Sequence, residues 1–236
     1  MTREEIGQRV ALMLIQAGAI HVSRQQPFIL AAGWASPVYV DCRVLIGEPY
    51  VRRAITDLSL EYLSSAVPAN AFDAIAGAET AGVPLAAWLA DRFGLAMRYV
   101  RKRPLGIGRN AQVEGGSVDG LRVLLMDDLT TDGTSKIGFV RGLRSAGAIV
   151  VHVLTIFYNN AFPGAQERLK EAGLELHALA TWADVLQGAA SEHLPAEDRA
   201  AIERFLIDPV AWSTHHGGRA ARSRRGEIAP RSDASG

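Results

Sequence analysis

The segment 123–135 carries residue types suited to binding a phosphorylated sugar. An apolar run, 123–126, ends at Asp127 and Asp128, and a loop of small hydroxyl residues follows. Backbone N–H groups and hydroxyls at a helix N-terminus bind phosphate, and the helix dipole favours its charge. Two adjacent carboxylates suit a pair of sugar hydroxyls or a metal ion, so the pattern predicts a ribose phosphate site. The residues expected to hold the phosphate are Thr131, Asp132, Gly133, Thr134 and Ser135.

Two better-known phosphate loops do not match this segment. The G-x-x-x-x-G-K-[ST] spacing and the G-x-G-x-x-G turn are both absent from it. The alternative interpretation is an ordinary strand–turn–helix unit with an acidic edge, which needs no ligand.

Two further loops are candidates for contact with a diphosphate. Segment 77–84 has two glycines and a helix-starting proline, so the amides of Thr80, Ala81 and Gly82 can approach an anion closely. A tight strand-to-helix turn would explain the same glycines.

The second loop begins with three consecutive cations, Arg101, Lys102 and Arg103, which follow a predicted strand. A glycine-containing stretch that includes Arg109 comes next, and we expect it to act as a lid. These cations can neutralise a departing diphosphate, although a solvated basic turn has the same composition.

The segment 28–43 contains a Ser-Pro turn between extended stretches. It suits a pocket for a base, with backbone amides beside Gly33 and an aromatic surface from Phe28. It equally suits a structural hairpin, and the residues alone leave both open.

Composition excludes several classes of protein. Lys plus Arg equals Asp plus Glu at 25 each, so no general attraction to nucleic acid or membrane follows. The single cysteine, Cys42, excludes an intramolecular disulfide and fits a reducing cytoplasm, where we expect it to be a buried filler. No apolar run approaches the roughly 20 residues that span a bilayer, and the N-terminus lacks the layout of a signal peptide.

Predicted strands and helices alternate through the middle of the chain, which indicates an α/β fold with a parallel sheet covered on both faces. Ligands bind outside the carboxyl ends of such strands, where Asp127 and Asp128 are expected. The predicted strands are 72–77, 96–101, 121–126, 149–157 and 174–180. The predicted helices are 84–93, 134–146 and 165–172, and a loop is predicted over 102–120.

The two ends of the chain differ from this pattern. The first 70 residues hold an amphipathic helix, an extended segment over 28–46 and a helix over 49–65, and we expect them to form a small hood within one domain, 1–212. The tail, 213–236, is rich in Arg and poor in apolar residues, which predicts disorder. A nucleic-acid contact is the alternative to a solvated tail.

Segment 123–135 resembles the PRPP-binding motif of type I phosphoribosyltransferases: four apolar residues, two acids and a T-T-G-type loop. Asp132 stands where that family often has glycine or alanine. All four segments together resemble orotate phosphoribosyltransferase. The F-x-L-x-x-G-x-x-S-P-x-Y-x-D-x-R stretch from Phe28 to Arg43 discriminates this family, and R-N-A-Q-V-E-G from Arg109 resembles its lid.

The resemblance implies a type I phosphoribosyltransferase fold and transfer of ribose 5-phosphate from PRPP to orotate. It also implies Mg²⁺, bridging substrate oxygens without direct side-chain ligation, and a homodimer whose lid closes over the neighbouring site. Asp127 and Asp128 would bind the ribose, Arg101 and Lys102 the diphosphate, and Thr130 the orotate.

The lid departs from the family pattern in two places. Many members have a Lys and a His in a K-x-H-G pattern, and this chain has Leu105 and Ile107 there. Arg103 or Arg109 could replace the missing lysine. Leu105 and Ile107 motivate one alternative function, a non-catalytic PRPP sensor. A second alternative is a phosphoribosyltransferase for another base, against which the stretch from Phe28 to Arg43 argues.

Overall fold

A computed structural model describes residues 1–104 and 112–219. The strands in these ranges are β1 (Ile20–Val22), β2 (Phe28–Ile29), β3 (Ala35–Ser36), β4 (Val38–Val40), β5 (Ala74–Ala78), β6 (Ala96–Val100), β7 (Val113–Glu114), β8 (Val123–Thr130), β9 (His152–Tyr158) and β10 (Glu175–Thr181). The α-helices are α1 (Arg3–Gln16), α2 (Val44–Gly47), α3 (Pro49–Ala66), α4 (Gly82–Phe93), α5 (Thr134–Ser145), α6 (Ala165–Glu171), α7 (Trp182–Leu186), α8 (Ala196–Ile207) and α9 (Pro209–His215). A 3-10 helix spans Ala189–His193.

A six-stranded sheet in the order β10-β9-β8-β5-β6-β7 is the centre of the fold. Its strands are parallel except for β7, which pairs antiparallel with β6. The predicted alternation of strands and helices is thus confirmed, but the segment predicted as a loop over 102–120 contains β7. A strand of two residues is too short to leave a period-two signal in the sequence.

Side chains of β8 alternate between the two faces of the sheet. Leu124 and Met126 belong to a buried cluster that includes residues of α1, α3 and α4, whereas Val123 and Leu125 pack with α5 and α6. Each fully buried aliphatic side chain stabilises the fold by about 1.5–3 kcal/mol. Because both faces are covered, the strand reads in the sequence as a continuous apolar run.

The strand β8 is longer than predicted. It continues through Asp127 and Asp128 to Thr130, because Leu129 and Thr130 still pair with Phe157 and Tyr158 of β9. The expectation that the two acids follow the end of the strand is therefore wrong, and both lie within β8.

The hood packs directly on the sheet. Ile6 and Leu14 of α1 and Leu63 of α3 share the buried cluster that contains Leu154 and Leu179 of the sheet. Cys42 is buried there, as expected, and burial raises the pKa of its thiol well above the ordinary value.

The predicted boundary at residue 212 differs from the structure. Helix α9 continues to His215, Ser213 is buried, and its hydroxyl accepts a hydrogen bond from the Ala35 amide at 3.0 Å. The Arg219 amide donates to the Gly33 carbonyl at 2.7 Å, and its guanidinium lies over the Trp34 ring. Residues 213–219 are therefore fixed by contacts with the hood, and the rest of the predicted tail lies outside the described residues.

Candidate active site

The loops predicted to bind substrate meet at one edge of the sheet. Strands β6, β5 and β8 are neighbours, with Gly77 opposite Tyr99 on one side and Met126 on the other. Since these strands are parallel, the loops that follow them all lie at their carboxyl ends. This edge is where α/β proteins bind ligands.

Asp127 is buried and forms an ion pair with a lysine that the sequence analysis did not select. The Lys136 ammonium lies 2.5 Å from Asp127 Oδ2 and donates to the Leu129 carbonyl at 2.6 Å. A lysine in the first turn of a helix opposes the helix dipole, and this local conflict was the signal in the sequence. The pair holds one carboxylate of the acidic motif rigidly in place.

Asp128 faces a different environment from Asp127. Burial, together with the neighbouring Asp127 charge, raises the pKa of Asp128 to about 7, and the Lys136 charge partly opposes this rise. The Asp128 carboxylate also accepts a hydrogen bond from the Leu129 amide at 2.8 Å. Near neutral pH, the Asp128 carboxyl is therefore protonated in part of the molecules, and a ligand that binds the Asp128 carboxylate must displace that proton.

The predicted phosphate loop has the geometry of a helix entry. Gly133 adopts φ +77°, a left-handed conformation that favours glycine, and α5 begins at Thr134. The Asp132 carboxylate accepts hydrogen bonds from the Thr134 amide at 3.0 Å and from its hydroxyl at 2.8 Å. Asp132 thus holds the loop in shape and places a negative charge where an anionic ligand is expected.

Two arginines compensate this charge, and neither was a predicted site residue. The Arg168 guanidinium donates to the Asp132 carbonyl at 2.8 and 3.0 Å. Arg168 and Arg219 both line a cavity of about 710 Å³. Its other lining residues are Ala31, Ala32, Leu129, Thr131, Asp132, Thr134 and Ser135. Sequence reasoning missed Arg168 because it lies on α6, one βα unit after the motif, and missed Arg219 because it was assigned to the tail.

Gly77, near the end of β5, and Gly82, the first residue of α4, have a packing role. A Cβ on Gly77 would lie 2.5 Å from the Gly82 carbonyl oxygen, and one on Gly82 would lie 2.3 Å from the Met126 carbonyl oxygen. Both are closer than a Cβ can approach, so glycine at 77 lets the start of α4 pack on β5, and glycine at 82 lets it contact β8. Thr80, Ala81 and Gly82 are thereby brought beside the acidic motif, with Thr80 exposed.

The three cations after β6 are held differently from one another. Arg101 pairs with Glu114 of β7 at 3.3 Å, and its guanidinium lies over the Tyr99 ring. The Lys102 amide donates to the Glu79 carboxylate at 2.7 Å, which ties this loop to the loop after β5. Lys102 and Arg103 are exposed. Arg109, with Leu105 and Ile107, lies outside the described residues.

In the hood segment 28–43, β2 pairs antiparallel with β3, and β4 pairs antiparallel with β1. The Ser36 hydroxyl donates to the Val38 carbonyl and accepts from the Val38 amide, while Arg43 and Asp41 form a bidentate pair at 2.6 and 2.7 Å. The Phe28 ring packs on Tyr39 with centroids 5.7 Å apart. The hood contributes Ala31 and Ala32 to the cavity, and Phe28 lies outside its lining.

Thr130 carries a buried hydroxyl without a hydrogen-bond partner in the described part of the chain. The residue is 1% exposed, so a ligand reaches this hydroxyl only if the covering side chains move. An unpaired buried hydroxyl costs about 1–3 kcal/mol. The predicted contact with a base therefore requires a rearrangement around Thr130.

Comparison with known proteins agrees with this geometry. A model of the phosphoribosyl transferase domain matches residues 48–183, more than half of the chain. Orotate phosphoribosyltransferase of Cereibacter sphaeroides (strain KD131 / KCTC 12085) is 48% identical over 211 residues, which cover 89% of this chain and 91% of that protein.

Solved structures of related proteins are also similar to this chain. The crystal structure of orotate phosphoribosyltransferase from Aeropyrum pernix has a TM-score of 0.65 at 35% identity and covers 75% of this chain and 96% of that one. The structure of Leishmania donovani UMP synthase has a TM-score of 0.72 at 25% identity and covers 85% of this chain, which spans 42% of that longer protein. Because the domain match covers more than half of the chain and the Cereibacter sphaeroides protein is 48% identical over 89% of it, this chain belongs to the orotate phosphoribosyltransferase family.

Proposed function

We propose that this protein transfers ribose 5-phosphate from PRPP to orotate, giving orotidine 5′-monophosphate and diphosphate in pyrimidine biosynthesis. The observation that carries the proposal is the placement of Asp127 and Asp128 directly before the phosphate loop of α5, in a chain so similar to orotate phosphoribosyltransferases. A phosphate on one side and a diol on the other define a ribose 5-phosphate.

The 5-phosphate is assigned to the cavity between the hood and α5. Amides in the first turn of α5 have no helical partners, and the Thr134 and Ser135 hydroxyls add donors. Arg168 and Arg219 line the same cavity and supply positive charge. Binding of a dianion displaces the Asp132 carboxylate from Thr134, because both compete for the same donors.

The ribose hydroxyls are assigned to the acid pair. Transfer passes through a transition state with positive charge on the sugar and negative charge on the leaving diphosphate. Anionic Asp127 and Asp128 stabilise the first charge, and the cations at 101–103 stabilise the second. The ion pair with Lys136 holds the Asp127 carboxylate in one position, so this carboxylate needs no reorganisation during the reaction.

The donor set fits the Mg²⁺ that the family implies. Mg²⁺ prefers oxygen ligands and retains several waters. Asp127 is already paired with Lys136, so the ion would be held by substrate oxygens and water beside Asp128. When bound, Mg²⁺ neutralises charge on the diphosphate.

The base is assigned to the hood side of the cavity, near Ala31 and Ala32. Orotate carries a carboxylate and ring carbonyls, so it needs donors as well as an apolar face. The unpartnered Thr130 hydroxyl supports its assignment as one such donor after the rearrangement described above.

The direct test is diphosphate release from PRPP with Mg²⁺, measured with and without orotate. We expect release to depend on orotate and to fall about 100-fold or more in Asp128→Asn, since an electrostatic contact in the transition state is lost. The surface variant Lys170→Met serves as the matched control and should keep wild-type activity. Tight PRPP binding without diphosphate release would support a non-catalytic PRPP sensor. Diphosphate release with a base other than orotate would support a phosphoribosyltransferase for that base.

We also propose a cytoplasmic homodimer in which the lid of one subunit completes its neighbour's site. In the described part of the chain, no helix has both the length and the apolar character needed to cross a membrane. Mixing Asp128→Asn with Arg109→Ala tests the shared site, because a mixed dimer contains one intact site only if the lid acts on the neighbouring subunit. Activity that recovers on mixing supports sharing, and two inactive variants that stay inactive contradict it.

A further inference from the structure

A second cluster of chemically reactive side chains lies at the opposite end of the sheet from the active site. His152 is the first residue of β9, Glu175 is the first residue of β10, and the two are directly paired in register. His177 lies two residues further along β10, so its side chain is on the same face as Glu175. The topology therefore brings two imidazoles and a carboxylate together at the amino ends of two strands.

The distances within this cluster match the edges of a metal coordination shell. His152 Nδ1 lies 3.1 Å from His177 Nε2 and 3.4 Å from Glu175 Oε2, and His177 Nε2 lies 3.9 Å from Glu175 Oε1. Ligand bonds of about 2.0–2.1 Å in a tetrahedron give ligand-to-ligand edges of about 3.3–3.4 Å. An ion between the three atoms would need only small side-chain adjustments.

The surroundings suit a site that is fixed on one side and open on the other. His177 is 3% exposed, and its ring meets Tyr62 of α3 edge-on at a centroid distance of 5.9 Å. The Glu175 side chain is 59% exposed, which leaves a path for an ion and its water ligand. A hydrogen bond between the two histidines explains the 3.1 Å contact without a metal, so a measurement must separate these possibilities.

We propose that His152, Glu175 and His177 bind one divalent cation of the zinc class per chain, separate from the substrate site. Two imidazoles and one carboxylate suit Zn²⁺, whereas Mg²⁺ prefers an all-oxygen shell. In residues 1–104 and 112–219, no other set of three His, Cys, Asp or Glu side chains is arranged in this way. Because the ligands come from β9 and from the edge strand β10, the bound ion links the edge of the sheet to its interior.

The test is calorimetric titration of metal-free full-length protein with Zn²⁺ alone. We expect one saturable site per chain in the wild type, and affinity at least about tenfold weaker in His152→Gln and in Glu175→Gln. Both positions are at least partly accessible, so neither variant should prevent folding. Matched controls are His193→Gln, which removes an exposed imidazole elsewhere, and Asp128→Asn, which removes an acid of the substrate site.

A second readout is the thermal unfolding midpoint with Zn²⁺ or with Mg²⁺. Zn²⁺ should raise the midpoint of the wild type and both controls but not of His152→Gln, since only a ligand of the folded state stabilises it. Mg²⁺ should leave the midpoint unchanged in all of them. Absence of saturable Zn²⁺ binding, or equal affinity in His152→Gln and His193→Gln, would overturn the proposal and identify the contact as a histidine hydrogen bond. Loss of binding in Asp128→Asn alone would assign the ion to the substrate site.

Discussion

The buried pair between Lys136 and Asp127 makes the stability of this protein depend on a residue beside the proposed ribose site. The two side chains are 4% and 9% exposed, and their charged atoms are 2.5 Å apart. At an effective dielectric constant of about 20, the direct attraction is about 6–7 kcal/mol, of which desolvation cancels a large part. Lys136→Met removes the cation but leaves the Asp127 carboxylate buried next to Asp128.

We expect Lys136→Met to lower the free energy of unfolding by about 3–5 kcal/mol, the usual cost of breaking a buried pair from one side. That loss is large compared with the roughly 5–15 kcal/mol that stabilise a typical domain. Activity should fall as well, because the remaining charges on Asp127 and Asp128 repel each other and disfavour the doubly ionised pair that we propose binds ribose.

Urea denaturation followed by circular dichroism measures the loss, with Lys170→Met as the control for an exposed lysine. The double variant Asp127→Asn with Lys136→Met should regain much of the stability, since it leaves no uncompensated buried charge. A loss below about 1 kcal/mol in Lys136→Met, or a double variant no more stable than the single one, would refute the argument that the pair is energetically coupled.

Three other perturbations test separate parts of the site. Burial raises the pKa of Asp128 to about 7, so the stability contributed by its protonated carboxyl is fully present below about pH 4 and is lost as the pH rises through 7. Asp128→Asn should therefore be at least as stable as the wild type at pH 8, although it loses activity. Urea unfolding at pH 5 and at pH 8 measures this difference in stability. An equal loss of stability and activity in that variant would contradict the assignment. Thr130→Val should stabilise the free protein by about 1 kcal/mol, because it removes an unpaired buried hydroxyl; unchanged kinetics for orotate would then exclude Thr130 as a contact of the base. Asp132→Asn should bind inorganic phosphate about two- to fivefold more tightly, since the amide of the introduced asparagine caps Thr134 without a negative charge that competes with the phosphate. Equal or weaker phosphate binding in calorimetry would count against competition between the Asp132 carboxylate and the phosphate.

Sequence patterns determined most of the fold because they reflect local rules. The helix predicted over 49–65 is observed as Pro49–Ala66, and the one over 134–146 as Thr134–Ser145. Proline at the first turn and hydrophobic periodicity fix such elements without knowledge of their neighbours. Residue types likewise predicted the acids, the hydroxyl loop and the three cations, because each of these groups is continuous in the chain.

Only the tertiary structure decided which distant residues complete the site. The dipole conflict singles out Lys136, but only the folded structure pairs it with Asp127, and Arg168 and Arg219 reach the cavity from elements that carry no phosphate motif. The extent of β8 beyond Met126 depended on pairing with β9, and the order of residues 213–219 on contacts with the hood. The cluster of His152, Glu175 and His177 required the register of β9 against β10. In each case the deciding interaction is a tertiary contact, and no local preference of the sequence specifies the partner.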